Sequence, residues 1–525
     1  MAVIWAIALA KLVFHIYCNN RYGYFRDEFD SMSCGDHLQW GYVDQPPLIP
    51  FLIHICRAVL GDSLRSIRFI PALASSLLVV QTAVLARELG GRRYAILLSA
   101  VCAAIVPQYL SNGSLLGTNC LEPNLWMGCA YFAILAIRQD NPRHWLWFGV
   151  CAGIGLENKY TIAIFCLGIV VGLLLTEQRR RLLSKWMWLG GLAAFLIFLP
   201  NLLWNIHYDW PFVQLMRAIP AEGRDVVWGP AQFFFQQVLI SNPLVAPLWL
   251  GGLFALLFSA GRIGCWLGAT WLPTPSCFCF TGKITIWPRF TRCCWQRERW
   301  RLNIGWIIRV WIILGWTILG RIILVWTVPK ARRRACSGWK PTLVMVLVAS
   351  GIHLMPIVVP VLSPEHFLTY TKTLPFKLPV NEYSHMRTSL PQWYADQFGW
   401  KEIAVEAEVA WSRVPADQRS DCAIFGQDYG QAGAIDFFGR AHGLPPALSG
   451  DRTYWLWGPH GYSGNCMIVL GDRKERLQQL FNQVEYVGTS ADNPWALESQ
   501  ISVYICRGAR FGMLEDLWPQ LKRWR

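Results

Sequence analysis

The chain has 525 residues, of which 54% are hydrophobic, 14% aromatic and only 15% charged. Soluble domains carry about 25% charged residues, so this composition indicates an integral membrane protein. The net charge of +15 comes from short Lys and Arg clusters between apolar runs, a pattern that argues against nucleic-acid binding.

The first apolar run, from Val3 to Cys18, is interrupted by Lys11 and has no small-residue cleavage site. This predicts a retained membrane span rather than a cleaved signal peptide. The seventeen cysteines are scattered, with no C-x-x-C pairs at zinc-binding spacing. We therefore interpret them as buried thiols, and we predict no metal site from them.

Apolar runs long enough to cross a bilayer recur along the chain. They predict a mainly α, polytopic transmembrane bundle of about eleven spans, at roughly 2–18, 66–86, 94–110, 120–137, 144–157, 160–176, 186–204, 239–259, 266–281, 304–328 and 341–361.

The basic clusters set the expected orientation, because cytoplasmic loops are enriched in Lys and Arg. Alternate connections carry such clusters: Arg87/Arg92/Arg93, Arg138/Arg143, Arg179/Arg180/Arg181/Lys185 and Lys330/Arg332/Arg333/Arg334. The remaining connections are then external, including residues 19–65, 111–119, 157–159, 205–238 and the tail after Val361. We expect a multi-pass protein of the cytoplasmic (inner) membrane with an extracytoplasmic C-terminal domain.

The tail is polar and changes periodicity, so we divide the chain into a transmembrane domain, 1–362, and a small α/β domain, 363–525. Its strand-like runs are 422–425, 466–470 and 501–505, and its helix-like runs are 400–411 and 473–484.

The first external loop carries adjacent acids, Asp27 and Glu28, directly after Arg26. On a helix they point about 100° apart, so one can face a substrate while the other orients it or holds Arg26. A carboxylate beside a hydroxyl acceptor is suited to act as a general base. The alternative is a solvated helix start, where acids are also favoured.

Arg26 and three further external residues are candidates for substrate binding. Asp44 precedes Gln45 and a rigid Pro-Pro turn, which is also a common loop-to-helix transition. Glu122 opens a span before Pro123, where it either joins the site or caps the helix. Lys159 lies at a span end, where it either binds a lipid phosphate or reaches the interface as an isolated cation.

Several of these motifs occur in one order that resembles bacterial glycosyltransferase family 39. They are Tyr-Gly-Tyr-Phe-Arg-Asp-Glu at 22–28, Trp-Gly-Tyr-Val-Asp-Gln-Pro-Pro-Leu at 40–48, Leu-Glu-Pro-x-x-Trp at 121–126 and Asn-Lys-Tyr at 158–160. The family comprises polytopic GT-C enzymes similar to protein O-mannosyltransferases and the lipid A aminoarabinose transferase. The resemblance covers residues 20–260 well and 340–525 more loosely.

The resemblance implies transfer of a sugar from a polyprenyl-phosphate donor to a protein, lipid or glycan acceptor on the outer face. Asp27 matches the catalytic acid of the family, Glu28 its neighbour and Glu122 a second-loop acid. We therefore predict that Asp27 and Glu28 are catalytic, with Asp27 as the base, and that Glu28 and Glu122 orient the acceptor or a divalent cation. The chain departs from aminoarabinose-transferring relatives in having Gln45 where they have Lys.

Residues 262–338 do not fit the family and hold nine of the 29 tryptophans, with a tenth at Trp339 on the border. Joining the third base of each codon in 282–297 to the next two bases permits K-N-Y-Y-L-A-P-V-Y-P-M-L-L-A-A. This string resembles the family's donor-phosphate element, G-K-x-Y-Y-x-x-P-x-Y-P. We therefore hypothesise compensating frame errors or a frameshifted allele, with Lys283 retained at or beside the phosphate position. The alternative is a divergent insert.

Two other functions compete with an active transferase. One is a catalytically impaired, frameshifted homologue. The other is a transporter or flippase, which is expected to show charges within several spans and repeated halves. This chain places its acids in loops and shows no repeat.

Overall fold

The computed structural model describes residues 1–221, 229–251, 339–378 and 388–524. In these ranges the chain is mainly helical, with one five-stranded sheet. It divides into two compact units. The first comprises 1–19, 68–207 and 225–361; the second comprises 20–67, 208–224 and 362–525. The predicted boundary near 362 coincides with a division between units, but residues 20–67, which include most of the loop predicted to be external, are grouped with the tail.

The helices, numbered along the described chain, are α1 (Ala2–Cys18), α2 (Arg26–Asp36), α3 (Leu48–Leu60), α4 (Leu64–Ile67), α5 (Phe69–Glu88), α6 (Arg93–Ile105), α7 (Pro107–Asn112), α8 (Glu122–Arg138), α9 (His144–Asn158), α10 (Ile162–Leu174), α11 (Lys185–His207), α12 (Pro211–Ala221), α13 (Pro230–Ile240), α14 (Trp339–Leu354), α15 (Pro364–Thr371), α16 (Gln392–Ala395), α17 (Trp400–Ser412), α18 (Tyr429–Phe438), α19 (Arg452–Trp457), α20 (Lys474–Leu480) and α21 (Leu514–Leu517). The strands are β1 (Cys422–Gly426), β2 (Ala447–Ser449), β3 (Cys466–Leu470), β4 (Phe481–Thr489) and β5 (Ser502–Ala509).

Helices lie at the predicted spans wherever the structure describes the chain, but many are short. Three are long and apolar enough to cross a membrane: Leu64–Glu88, Lys185–His207 and Trp339–Ile357. A fourth is obtained if Ile162–Leu174 and Glu177–Leu183, which meet at 117°, form one broken span. The described residues thus contain fewer full-length spans than the eleven predicted. The predicted spans at 266–281 and 304–328 lie outside these residues.

The core of the first unit is built where α5, α6, α8, α9 and α10 pack together. Trp126 of α8 stacks on Phe165 of α10, with 4.7 Å between ring centroids. Helices α9 and α11 approach closely because glycines face each other: a Cβ on Gly149 would lie 2.0 Å from the carbonyl oxygen of Gly190. Small residues of this kind bring membrane helices into direct backbone contact.

The sheet of the second unit has the order β2-β1-β3-β5-β4. Strands β1, β2 and β3 are parallel, whereas β5 is antiparallel to both β3 and β4. The three predicted strand runs and the helix at 400–411 are confirmed. The helix predicted over 473–484 is wrong after Leu480, because the chain from Phe481 pairs with β5 as an edge strand.

The interpretation of all cysteines as buried thiols is also wrong for one pair. Cys422 and Cys466 lie opposite each other at the start of β1 and β3 and form a disulfide. The two cysteines are 44 residues apart in sequence, and the parallel pairing of β1 and β3 brings them together, so the sequence alone did not indicate the contact. Nine other cysteines in the described ranges are free thiols, and none is exposed.

Replacing both cysteines (C422S/C466S) is expected to destabilise the second unit by about 2–4 kcal/mol, because the bridge restricts the unfolded chain. The measurement is the unfolding midpoint of the full chain with and without reductant. Reductant should lower the midpoint of the wild type and leave that of the variant unchanged. Two free thiols at these positions in protein isolated without reductant would contradict the assignment.

Candidate active site in the first external loop

Helix α2 begins with the Arg26-Asp27-Glu28 motif. Glu28 is fully buried, and its Oε2 accepts a hydrogen bond of 2.8 Å from the backbone N–H of Phe25, just before the helix. An acid at the third helical position commonly caps a helix in this way. Glu28 therefore stabilises the start of α2, which was the alternative to a catalytic role in the sequence analysis. Its catalytic role stays a prediction.

Asp27, by contrast, is exposed. Its Oδ1 accepts a hydrogen bond of 2.6 Å from the hydroxyl of Tyr429, the first residue of α18. Tyr429 is buried, and burial raises the pKa of its phenol well above the usual value. The phenol therefore stays protonated and orients a carboxylate that remains open to solvent.

Arg452 connects Tyr429 to the second candidate acid of the loop. Its guanidinium lies 4.0 Å from the centroid of the Tyr429 ring, and its Nη1 is 2.8 Å from Oδ2 of Asp44. Burial alone would lower the pKa of Arg452, but Tyr429, Asp44 and Asp27 together raise it well above its usual value. Arg452 therefore remains a cation beside the loop acids.

Asp30 adds a buried carboxyl one helical turn after Asp27. It is 1% exposed, and its Oδ2 accepts a hydrogen bond of 3.1 Å from Nε2 of Gln45. Burial raises the pKa of both Asp30 and Asp44, and the charge of Asp44 raises that of Asp30 further. Gln45 thus serves as an amide donor to Asp30.

One oxygen on each acid, Oδ1 of Asp30 and Oδ1 of Asp44, is buried with no hydrogen-bond partner in the described chain. Across the same residues, no group of three or more His, Cys, Asp or Glu side chains is placed to hold a metal ion. The chemistry proposed below places no step on a metal ion.

Arg26 is bound by three carboxylates from the tail. Its Nη2 lies 3.2 Å from Asp396 and 2.7 Å from Glu498, and its Nη1 lies 3.7 Å from Asp428. We call these four residues the Arg26 clamp. Trp400 lies under the guanidinium at 5.3 Å. The clamp fixes the residue immediately before Asp27 to the α/β part of the same unit.

Two acids of the clamp, Asp428 and Glu498, differ in how their surroundings shift their pKa values. Burial would raise the pKa of Asp428, but Arg26 and backbone N–H groups lower it below its usual value. Burial, followed by the charge of Asp428, raises the pKa of Glu498 to about 7. Glu498 is therefore the clamp member that titrates near neutral pH.

Because its folded-state pKa is raised, protonated Glu498 favours the folded state. That contribution is complete below about pH 4.5 and is lost as pH rises through about 7. We expect Glu498→Gln, which mimics the protonated form, to gain stability relative to the wild type between pH 5 and pH 8. Unfolding midpoints across this range measure the difference, with the exposed Glu475→Gln as control. Parallel pH profiles for wild type and Glu498→Gln would show that Glu498 is not the titrating group.

Glu122 and Lys159 lie in the first unit and contact each other. Nζ of Lys159 is 3.2 Å from Oε2 of Glu122 and donates a hydrogen bond of 2.6 Å to Oδ1 of Asn119. The Thr161 hydroxyl donates to Oε1 of Glu122, which is 5% exposed and begins α8. Lys159 is thus a partner of a buried acid rather than an isolated cation. Lys283 lies outside the described residues.

Sequence reasoning missed the tail residues of this site, namely Tyr429, Arg452 and the acids of the Arg26 clamp. Tyr429 is separated from Asp27 by 402 residues, and Glu498 from Arg26 by 472. No motif marks these residues, and the fold brings them to the loop, as the packing of α2 against α18 does for Tyr429.

Comparison with known proteins gives one matching family model and two solved structures with a similar fold. The family model of dolichyl-phosphate-mannose-protein mannosyltransferases matches residues 44–204. ArnT from Cupriavidus metallidurans, solved bound to undecaprenyl phosphate, is similar with a TM-score of 0.58 at 14% identity, covering 96% of this chain and 97% of ArnT. The chain therefore shares the GT-C fold of ArnT.

The apo structure of the same ArnT matches this chain with a TM-score of 0.55 at 13% identity, over 96% of this chain and 97% of ArnT. A search of curated proteins gave no match. At these identities the structural likeness establishes the fold, and the resemblance read from the motifs is confirmed at that level.

Proposed function

We propose that the chain is a membrane glycosyltransferase that moves a sugar from a polyprenyl-phosphate-linked donor to an acceptor on the outer face of the cytoplasmic membrane. The observation that carries this proposal is Asp27, an exposed carboxylate at a helix start, oriented by the Tyr429 hydroxyl at 2.6 Å. The matching family model and the fold shared with ArnT, which was solved with undecaprenyl phosphate, support the donor class.

The proposed reaction is a direct displacement. An acceptor hydroxyl attacks the anomeric carbon of the donor, a new C–O bond forms, and the bond from that carbon to the phosphate oxygen breaks. The phosphate leaves with the bonding electrons, and the hydroxyl proton passes to Asp27. General base catalysis of this kind contributes about 10²–10⁴-fold to the rate.

The neighbouring residues position this base and its substrates. Tyr429 holds the Asp27 carboxylate, and Arg452 fixes both the Tyr429 ring and Asp44. Glu28 holds the start of α2, so we assign it a positioning role rather than a direct contact with the acceptor.

Neither lysine predicted to hold the leaving phosphate is established in that role. Lys159 is already bound to Glu122, so we propose that this pair orients the sugar or the acceptor. Lys283 is then the remaining predicted phosphate contact, and it lies within residues 262–338, where the reading frame is in question. An impaired homologue is therefore the second candidate function, and that segment is the observation that favours it.

The disulfide supports an extracytoplasmic position for the tail. Structural disulfides persist in oxidising compartments such as the periplasm and are rare in the cytosol. Cys422–Cys466 agrees with the orientation derived from the basic clusters, which places both the first loop and the tail outside.

Purified full-length protein in proteoliposomes, incubated with labelled polyprenyl-phosphate sugars and candidate lipid, glycan and peptide acceptors, tests the function. The chain as given and a version with the frame of 262–338 restored are assayed side by side. Transfer of label by either chain supports the proposed function, whereas transfer by the restored version alone identifies the given chain as impaired.

A further inference from the structure

A cavity of about 590 Å³ lies in the second unit, in a part of it that the proposed chemistry does not use. It is lined by Asp209, Trp210, Val213, Gln214, Arg217 and Lys522. Two cations and one acid therefore face the same space, which leaves a net positive charge.

Lys522 is held in a fixed position at this cavity. Its Nζ lies 4.5 Å from the ring centroid of Trp455 and 4.6 Å from that of Trp524, and it donates a hydrogen bond of 2.9 Å to Oε1 of Gln214. Two aromatic faces and one amide orient the ammonium but do not neutralise it. Arg217, exposed on α12, is three residues after Gln214 and thus on the same helix face.

The acid in the lining is held by a hydrogen-bonded turn. Nε2 of Gln214 donates to the backbone oxygen of Asp209 at 2.7 Å and to its Oδ2 at 3.2 Å. Asp209 and Trp210 both have positive φ angles, 57° and 56°, which non-glycine residues rarely adopt. This turn keeps the Trp210 side chain 43% exposed at the rim of the cavity.

We infer that the cavity binds the phosphate group of an anionic ligand, with a membrane lipid headgroup as the expected source. Asp209 follows by two residues the end of α11, one of the helices long and apolar enough to cross a membrane. Tryptophan with Lys and Arg beyond the end of a span is typical of the headgroup region. This site is independent of Asp27 and of the proposed transfer reaction.

The test measures binding of a fluorescent phosphatidylglycerol to the full-length protein in a neutral detergent, with phosphatidylcholine and inorganic phosphate as competitors. The variant is R217Q/K522Q, and the control K401Q/R473Q removes the same charge from two exposed positions of the same unit. We expect the cavity variant to bind about tenfold more weakly or worse, because each basic residue contributes to attraction of an anionic headgroup. K522R, which retains the cation, is expected to bind like the wild type.

The competitors identify the source of the phosphate. Competition by inorganic phosphate at millimolar concentration assigns the site to the phosphate group alone; competition by unlabelled phosphatidylglycerol but not by phosphate assigns it to the lipid. Equal affinity of R217Q/K522Q and K401Q/R473Q, with both variants folded by their unfolding midpoints, would overturn the inference. Equal competition by zwitterionic phosphatidylcholine would overturn it as well.

Discussion

Asp27→Asn is expected to reduce sugar transfer by about 10²–10⁴-fold, the usual contribution of a general base, while the protein still accumulates in the membrane. The amide retains an oxygen that can accept the hydrogen bond from Tyr429, so the local structure is preserved. The measurement is the initial transfer rate in proteoliposomes over a range of donor concentrations, which separates kcat from KM.

Asp417→Asn, at an exposed position of the same unit, is the matched control and is expected to transfer at the wild-type rate. Tyr429→Phe removes only the hydrogen bond and keeps the ring next to Arg452. It should therefore lower kcat by less than Asp27→Asn and leave KM for the donor unchanged. Wild-type kcat in Asp27→Asn would exclude this residue as the base.

Arg26→Gln is expected to destabilise the second unit by about 3–5 kcal/mol, the usual cost of removing one partner from a buried ion pair. The substitution leaves Asp396 and Asp428, 2% and 5% exposed, without their cation. The unfolding midpoint of the full chain measures the loss, with Arg473→Gln at an exposed position as control.

Lowering the pH distinguishes the loss of ion pairs in Arg26→Gln from a loss of packing against Trp400. Protonation of the clamp carboxylates removes the unpaired charge, so the midpoint of Arg26→Gln should approach that of the wild type as pH falls from 8 to 5. A stability gap that stays constant over this range would contradict the ion-pair explanation.

The sequence predicts those parts of the fold and site that depend on local patterns. The acids at 27 and 28 begin a helix as their types favour, and the apolar runs become helices even where these are too short to cross a bilayer alone. Strands β1 and β3 are fully buried and β5 is buried at its centre, and each is an apolar run that contains Ile, so composition marks them. The burial of residues along β4 alternates only weakly. This segment forms a strand because it pairs with β5, and a local sequence pattern does not reveal that pairing.

The contacts that complete the site are long-range and could not be predicted in this way. A tyrosine that begins a helix in the tail has no local property that assigns it to an aspartate 402 residues earlier. The same holds for the Cys422–Cys466 bridge and for Lys159, whose partners Glu122 and Asn119 come from a different connection. The amide of Gln45 donates to Asp30, a contact that the sequence does not indicate.

The most direct test of the central claim is the release of polyprenyl phosphate from a polyprenyl-phosphate sugar, measured by mass spectrometry in proteoliposomes that contain acceptor. The restored-frame chain is expected to release polyprenyl phosphate in step with labelled product, and its Asp27→Asn variant is expected to release almost none. No release by the folded restored-frame chain with any sugar donor, or equal release by both chains, would contradict a transferase that uses Asp27 as its base.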